Sequence, residues 1–309
     1  MKKIILEIIW TLYNIKMRLV DFFDKEKVIR DVDFKITHYA NSIIPKTITF
    51  VLSEEFLNAA NKNDNVIGII TNERLGGMVD QKKGLLISND VKSDFFNLHN
   101  FLYTSKKNYY TVDQHISKSA KIAPTAIIGS NVYIGENVEI GHYSVVENGS
   151  YIGENTIIGS HVIIGARGLH NTRVSENEFI QVVDAGGVKI GSNCEILSGC
   201  IVQKSYFYEA TVIGDYTKLG PMVNVGHGTK IGKGCLIAGG SVIAGFCEMG
   251  GDVWVGPSSI IGHGLKIGNN VQIRIGSTVI ANLKDMDNVS GNFAYSHKRH
   301  LRNYIKLKR

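Results

Sequence analysis

Three residues at fixed spacing are the chain's best candidates for chemistry. His227, Gly245 and His263 follow one another at intervals of 18. An imidazole exchanges protons near neutral pH and can act as a general base toward an incoming nucleophile. A glycine lets a ligand approach the backbone closely, and its N–H can stabilise an oxyanion. A base and a donor so paired suit attack on a carbonyl carbon. His227 lies in "NVGHGTKIGKG" (224–234), at a place held in most other repeats by Ser, Asn, Asp, Glu, Gly, Lys or Pro. Those are ordinary residues of tight corners, and a solvated turn residue is the plain alternative for any one histidine there.

The spacing of these residues comes from a longer pattern. From Ile116 an aliphatic residue recurs every six positions through Ile164, resumes at Ile190, Ile196 and Val202, and then runs from Ile213 to Ile273. The fourth position after each is almost always small, as at Ala120, Ser144, Thr217, Thr229 and Ser259. Each six-residue unit is one short strand and one corner, three units make a coil of 18, and coils stack at about 4.8 Å. His227 and His263 are then expected on one edge about 10 Å apart, with Gly245 between them. His142 occupies the same corner position and is a secondary candidate. Cys194, Cys200, Cys235 and Cys247, the chain's four cysteines, fall at the small position and read as core residues, with no disulfide or metal role expected.

This pattern resembles the hexapeptide-repeat family of left-handed parallel β-helices. The handedness is implied by the resemblance, not by the spacing. Two stretches break the period: 166–187, "ARGLHNTRVSENEFIQVVDAGG", and 203–212, "QKSYFYEATV". Both are expected to leave the solenoid at corners, where insertions are tolerated.

The fold class expected is therefore mainly β: a left-handed β-helix over 113–285, with the excursion at 166–187. An N-terminal helix (1–27) and a small α/β domain (28–112) precede it. A basic helical tail (286–309) follows. "TITFVLS" (47–53) and "VIGIITN" (66–72) read as strands, and "KSDFFNLHNFLYTS" (92–105) as a helix.

With 44% hydrophobic and 20% charged residues the chain is globular, and its net charge of +6 is concentrated in "SHKRHLRNYIKLKR". That favours a local anionic partner over a nucleic-acid surface. The opening "MKKIILEIIWTLYNIKMRLV" has no small-residue cleavage site, and Glu7 interrupts its apolar run. It reads as an amphipathic helix docked on the protein, so a cytoplasmic location without membrane contact is expected.

The layout is similar to UDP-3-O-acylglucosamine N-acyltransferases and relatives that acylate nucleotide-linked amino sugars. "VIGDYTKLGPMVNVGHGTKIGKG" (212–234) matches their active-site run, which places His227 on the catalytic base and Gly245 on the glycine facing the thioester oxygen. "ITFVLSEEF" (48–56) resembles the segment that sandwiches the base, with Phe50 and Phe56 on its two rings. Asn224 and His263 are candidate substrate-binding residues, His263 by its place two coils from His227 on the same edge, because the family's second histidine does not align cleanly with it. Gly239, Gly240 and Ala244 would line the acyl-donor groove, with Lys298, Arg299 and Arg302 at its basic end.

It implies an N-acyltransferase that uses coenzyme A or acyl carrier protein as co-substrate and holds no bound cofactor, working as a homotrimer with sites between subunits. Gly228, Gly220-Pro221, Gln203-Lys204-Ser205 and Ser53 depart from the family pattern where sugar and base would be read. A dTDP- or UDP-linked amino-deoxysugar is thus as suitable an acceptor as a lipid A precursor. An O-acyltransferase and a non-catalytic nucleotide-sugar-binding trimer remain alternatives. Metal hydration chemistry needs a close histidine pair on one corner segment, and none surrounds His227, so no metal is expected.

Overall fold

The computed structural model describes residues 17–105 and 109–307. Most of the helix expected over 1–27 lies outside them. Of its described part, Met17–Arg18 is a strand paired with Asp33–Phe34, and Leu19–Asp21 is a single 3-10 turn. The chain divides into two compact units.

The first unit comprises the described residues up to Ser105 together with His170–Val183. Its five-stranded sheet runs in the order Val28–Arg30, Gly84–Ile87, Val66–Thr71, Thr47–Phe50, Ile36–Thr37. Only the Val28–Arg30 edge is antiparallel. Helices α1 (Glu54–Lys62) and α2 (Glu73–Gly76) supply the crossovers between parallel strands, and α3 (Val91–Ser105) follows the last strand. Ser53 and Asn72 cap the first two, each side chain accepting an N–H three residues on.

The 166–187 excursion contributes an antiparallel hairpin, Asn171–Arg173 with Phe179–Gln181. It is pinned to α3. Asn100 donates to the Gln181 carbonyl at 2.8 Å and accepts from the Val183 N–H at 2.9 Å. Buried His99 bridges the Thr37 hydroxyl, 2.8 Å away, and the Val183 carbonyl, 2.9 Å away.

The second unit, Tyr109–Leu169 with Asp184 onward, is the solenoid. Its strands form three parallel faces. Face A holds eight strands from Ile127–Ile128 to Thr278–Val279, face B eight from His115–Ile116 to Lys266–Ile267, and face C ten, beginning at Lys121–Ile122. The last two strands of face C, Asn288–Ser290 and Tyr295–Ser296, pair antiparallel and lead into α4 (His297–Leu307). The chain visits B, C and A in turn, so every 18 residues it returns to the same edge.

The repeat explains the core. The six-residue aliphatics, from Ile134 to Val279, form one buried column cluster. The residue four places on is mostly buried too, and where it is Thr, Ser or Cys its side chain is usually bonded to backbone. Thr229 donates to the Ala244 carbonyl at 2.8 Å, Ser241 to Gly256 at 3.1 Å, and the Cys247 thiol to Gly262 at 3.0 Å. The cysteines are free and buried, and desolvation raises all four thiols, that of Cys194 to about 11. They are held as thiols, which makes them packing residues and weak nucleophiles.

The third corner position takes a left-handed backbone throughout. Gly228, Gly240 and Gly264 fill it with φ of +64°, +71° and +69°, and Asn131, Asn155 and Asn270 with φ of 52–56°.

Outward residues differ between faces. Face A is apolar along most of its length, with Ile127, Val145, Ile163, Ile201, Val242 and Ile260 on successive rungs, broken by Asn224. Faces B and C carry opposed charges on adjacent rungs, such as Lys121–Glu139 and Lys266–Glu248.

Candidate functional site

His227 follows strand Asn224–Val225 of face A and stands at the edge between faces A and B. Gly245 and His263 follow the next two face A strands, so all three share this A–B edge. The side chains come closer than the backbone register predicts: the imidazole centroids of His227 and His263 are 5.9 Å apart. Gly245 makes this possible. A Cβ added to it would lie 2.5 Å from His227 Nε2 and 2.8 Å from Nδ1, so the imidazole occupies the space a side chain would need. Desolvation pushes the His263 imidazole below its ordinary value, although the residue is exposed on the edge.

Two aromatics that the sequence reading did not single out complete the arrangement. Phe246 lies 5.0 Å from His227 and 5.7 Å from His263 by ring centroid, edge-on to both. Its ring covers Gly228, where a Cβ would fall 2.5 Å from Phe246 Cε1. His227 over Gly245 and Phe246 over Gly228 are thus reciprocal: each bulky side chain fills the gap left by the other coil's glycine. Gly228, a departure from the family pattern, is explained by this packing. Phe246 pays for its place with φ of 55°, in a region a bulky residue rarely adopts. A Phe at a corner position usually filled by Gly or Asn was the available signal. It is a weak one, because Tyr143, Tyr216 and Met222 take the same conformation while exposed.

The second aromatic is Tyr206, buried, with its ring 4.9 Å from His227 and 5.3 Å from Phe246. It comes from the 203–212 excursion, which leaves face A after Ile201–Gln203 and rejoins face B at Ala210–Ile213. That is the A–B edge, one coil before His227. Tyr206, Phe207 and Tyr208 all turn inward, so this excursion is a packed wall and no solvent loop. The 166–187 excursion also leaves face A and rejoins face B, after Ile163–Ala166 and before Gly187–Ile190. Both insertions therefore open from the edge that carries His227.

Backbone donors along the edge complete the picture. Among the described residues the Gly245 N–H has no hydrogen-bond acceptor, while its carbonyl accepts from Gly264 at 2.9 Å. Asn224 is half-buried on face A, three residues before His227, at the one polar break in that apolar row.

The remaining sequence candidates lie elsewhere. Gly239 and Gly240 follow strand Leu236–Ile237 on face C, so they stand on the C–A edge, a full strand away from Ala244 and Gly245. A Cβ on Gly239 would meet the Pro221 carbonyl at 2.9 Å, and the Gly240 N–H donates to that carbonyl at 2.9 Å. They pack one coil on another and share no groove with Ala244. His142 is also on the C–A edge, hydrogen-bonded through Nδ1 to the Thr125 hydroxyl at 2.9 Å. Lys298, Arg299 and Arg302 are exposed on α4, at the C-terminal end of the solenoid.

In the first unit, Phe50 ends its strand packed against Phe95 and Phe96 at 4.7 and 5.7 Å. Phe56 stands exposed on α1. One ring is thus partly committed to the core, and the other is open to solvent.

Residues 131–166 and 210–245 match the model of the bacterial transferase hexapeptide (six repeats). The second match includes both His227 and Gly245. The protein carries the repeat of the hexapeptide transferases, and its solenoid is the left-handed parallel β-helix that the sequence implied. Solved structures similar to it include a UDP-N-acetylglucosamine acyltransferase, 25% identical, covering 62% of this chain and 77% of that one, at a TM-score of 0.42. The Arabidopsis UDP-N-acetylglucosamine acyltransferase is 22% identical over 62% and 77% of the two chains, at 0.42. That from Campylobacter jejuni is 22% identical over 59% and 74%, at 0.39. Likenesses at these scores carry no weight for function. No curated protein matches significantly. Among the described residues no group of three or more His, Cys, Asp or Glu is placed to hold a metal ion, and no helix is long and apolar enough to cross a membrane.

Proposed function

We propose that the protein is an N-acyltransferase that moves an acyl group from a pantetheine thioester, on coenzyme A or acyl carrier protein, to the amino group of a dTDP- or UDP-linked amino sugar. Such a product would feed polysaccharide or lipid A synthesis. One observation carries the reading: the His227 imidazole lies over Gly245, whose N–H has no acceptor among the described residues.

The chemistry follows from that pair. The sugar amine attacks the thioester carbonyl, forming the C–N bond and placing negative charge on oxygen. The imidazole takes the proton that the nitrogen loses, and the Gly245 N–H stabilises the oxyanion. Collapse of the tetrahedral intermediate breaks the C–S bond, and the imidazolium returns the proton to the departing thiolate. No acyl-enzyme is needed, which agrees with the raised thiols. Phe246, Tyr206 and Gly245 hold the imidazole in one orientation, and His263 stands within reach of a substrate held there. Asn224 suits hydrogen bonding to the sugar, and exposed Phe56, with Phe50, suits stacking on the nucleotide base.

A homotrimer is part of the proposal. The apolar outward row of face A ends on one side at the A–B edge, so a second copy covering face A would enclose the site.

The test is a panel of short and long acyl thioesters offered with UDP- and dTDP-linked amino sugars and their hydroxyl analogues. Thiol release that needs the amino sugar supports the reading. Release with the hydroxyl analogue alone makes the protein an O-acyltransferase. Binding without any thiol release makes it a scaffold.

A further inference from the structure

Helix α4 (His297–Leu307) has no acidic residue, and Lys298, Arg299, Arg302 and Lys306 lie along it. Its orientation is the reverse of what a helix covering the end of a solenoid should show. The side facing the β-helix is polar. His297 Nδ1 shares a hydrogen bond of 2.9 Å with the Ser290 hydroxyl, and Asn303 donates to the Tyr295 hydroxyl at 3.3 Å. His300 sits over Gly291, where a Cβ would fall 2.7 Å from its Nδ1. These three residues recur at intervals of three and form one stripe.

The apolar residues point the other way. Leu301 and Ile305, four apart, are 46% and 55% exposed, and Tyr304 is 50% exposed. Phe293, in the turn just before the helix, is 60% exposed. Lys298, Arg302 and Lys306 form the adjoining column, also at intervals of four, and all three are exposed. A surface helix ordinarily buries its apolar stripe against its own protein. Here histidine and asparagine hydrogen bonds hold the helix, and the stripe is turned outward beside a row of cations.

We propose that this outward face of α4, with Phe293, lies on an anionic lipid surface. The charge selects an anionic partner. A second copy of the same helix is excluded, because it would set the same cations face to face. The exposed apolar groups come from both the turn and the helix, and long cationic side chains and a tyrosine accompany them. That is the arrangement of a helix lying in a bilayer interface, its apolar groups dipped among the acyl chains and its cations reaching lipid phosphates. A groove-bearing acidic protein, such as an acyl carrier, is the competing occupant. The sequence expectation of no membrane contact came from reading the N-terminal segment as a docked helix, and it does not bear on the direction that α4 faces. This inference stands apart from the acyl-transfer reading.

The test is co-sedimentation of the full-length protein with vesicles of phosphatidylcholine alone, or of phosphatidylcholine with a minor share of phosphatidylglycerol. The protein should partition onto the anionic vesicles, leave them at high salt, and ignore the neutral ones. The double variant Leu301→Ser/Ile305→Ser should lower partitioning about tenfold or more, through the apolar groups it removes. The triple variant Lys298→Gln/Arg302→Gln/Lys306→Gln should lower it by at least as much, since each cation near such a surface is worth about fivefold. Unchanged thermal melting of both variants shows that the fold is intact. Failure of the wild type to sediment with anionic vesicles overturns the proposal, as does equal sedimentation by the double variant. So does binding of an acidic acyl carrier protein through these residues by a protein that ignores the vesicles.

Discussion

The three edges of the solenoid share one backbone trace but differ at several rungs in how they treat the N–H at the second corner position. On the B–C edge it is capped by an Asx side chain from the next coil: Ser192 N–H donates to Asp215, Gly251 to Asn269 and Asn269 to Asp285, at 2.7–2.9 Å. On the C–A edge proline removes it at Pro221 and Pro257. On the A–B edge Gly245 leaves it open, and a histidine ring lies over the gap. The difference separates scaffold from site. Among the described residues, only on the A–B edge does a histidine ring lie over an open glycine N–H, so that a donor and a base face the same space.

The largest expected effect comes from removing the base. His227→Ala should lower kcat/KM for thiol release by about 10²–10⁴-fold. It should leave the melting temperature close to that of the wild type, since the ring lies at an edge and outside the core column. Near-normal turnover would return His227 to the status of a corner residue.

Next is the glycine beneath it. Gly245→Ala sets a methyl group against the imidazole and should displace the ring, at a cost of about 10²-fold in rate if the shift approaches 1 Å. The matched substitution on the capped edge is Gly251→Ala. There the new Cβ meets the Lys233 carbonyl at 3.2 Å and nothing closer, and the backbone φ is not in the left-handed region. That variant should keep its activity and lose little stability. Equal losses of rate in the two variants would mean that Gly245 has only a stacking role.

Much of this could be read from the sequence, because a solenoid maps register directly onto position. Eighteen residues mean one coil, so the common edge of His227, Gly245 and His263 followed by counting, as did the burial of all four cysteines. Side-chain reach did not follow. The backbone spacing of two coils placed the histidines about 10 Å apart, whereas their rings close to 5.9 Å across the gap left by Gly245. Gly239 and Gly240 were grouped with Ala244 because they are near in sequence, yet one strand of six residues moves the chain to another edge. Tyr206 was hidden for a different reason. It lies in a stretch without period, where pattern gives no inward or outward sense, and only packing shows that it faces His227. The direction of α4 was hidden in the same way, because periodicity finds an apolar stripe without saying what it meets.

A smaller effect should come from the capped edge. Asn269→Ala removes the acceptor of the Gly251 N–H and should cost about 1 kcal/mol of stability, measured by urea denaturation, with no change in rate. A loss of activity there would show that the edges are coupled and that the B–C caps help to position His227.

The smallest expected effect is pH-dependent and belongs to the A–B edge alone, since the B–C edge carries no imidazole at its second corner position. Desolvation lowers the His263 pKa in the folded protein, so the unfolded chain binds that proton more readily. Stability then rises with pH between the folded and unfolded values. The contribution is complete above the unfolded imidazole value, about 6.5, and is lost as pH falls through the lower folded value. Because the ring is exposed, the change should be modest. The urea midpoint of the wild type should drop slightly on acidification through this window, and His263→Gln should flatten that part of the profile. An identical slope in the variant would place the proton uptake elsewhere and leave His263 as a solvated corner residue.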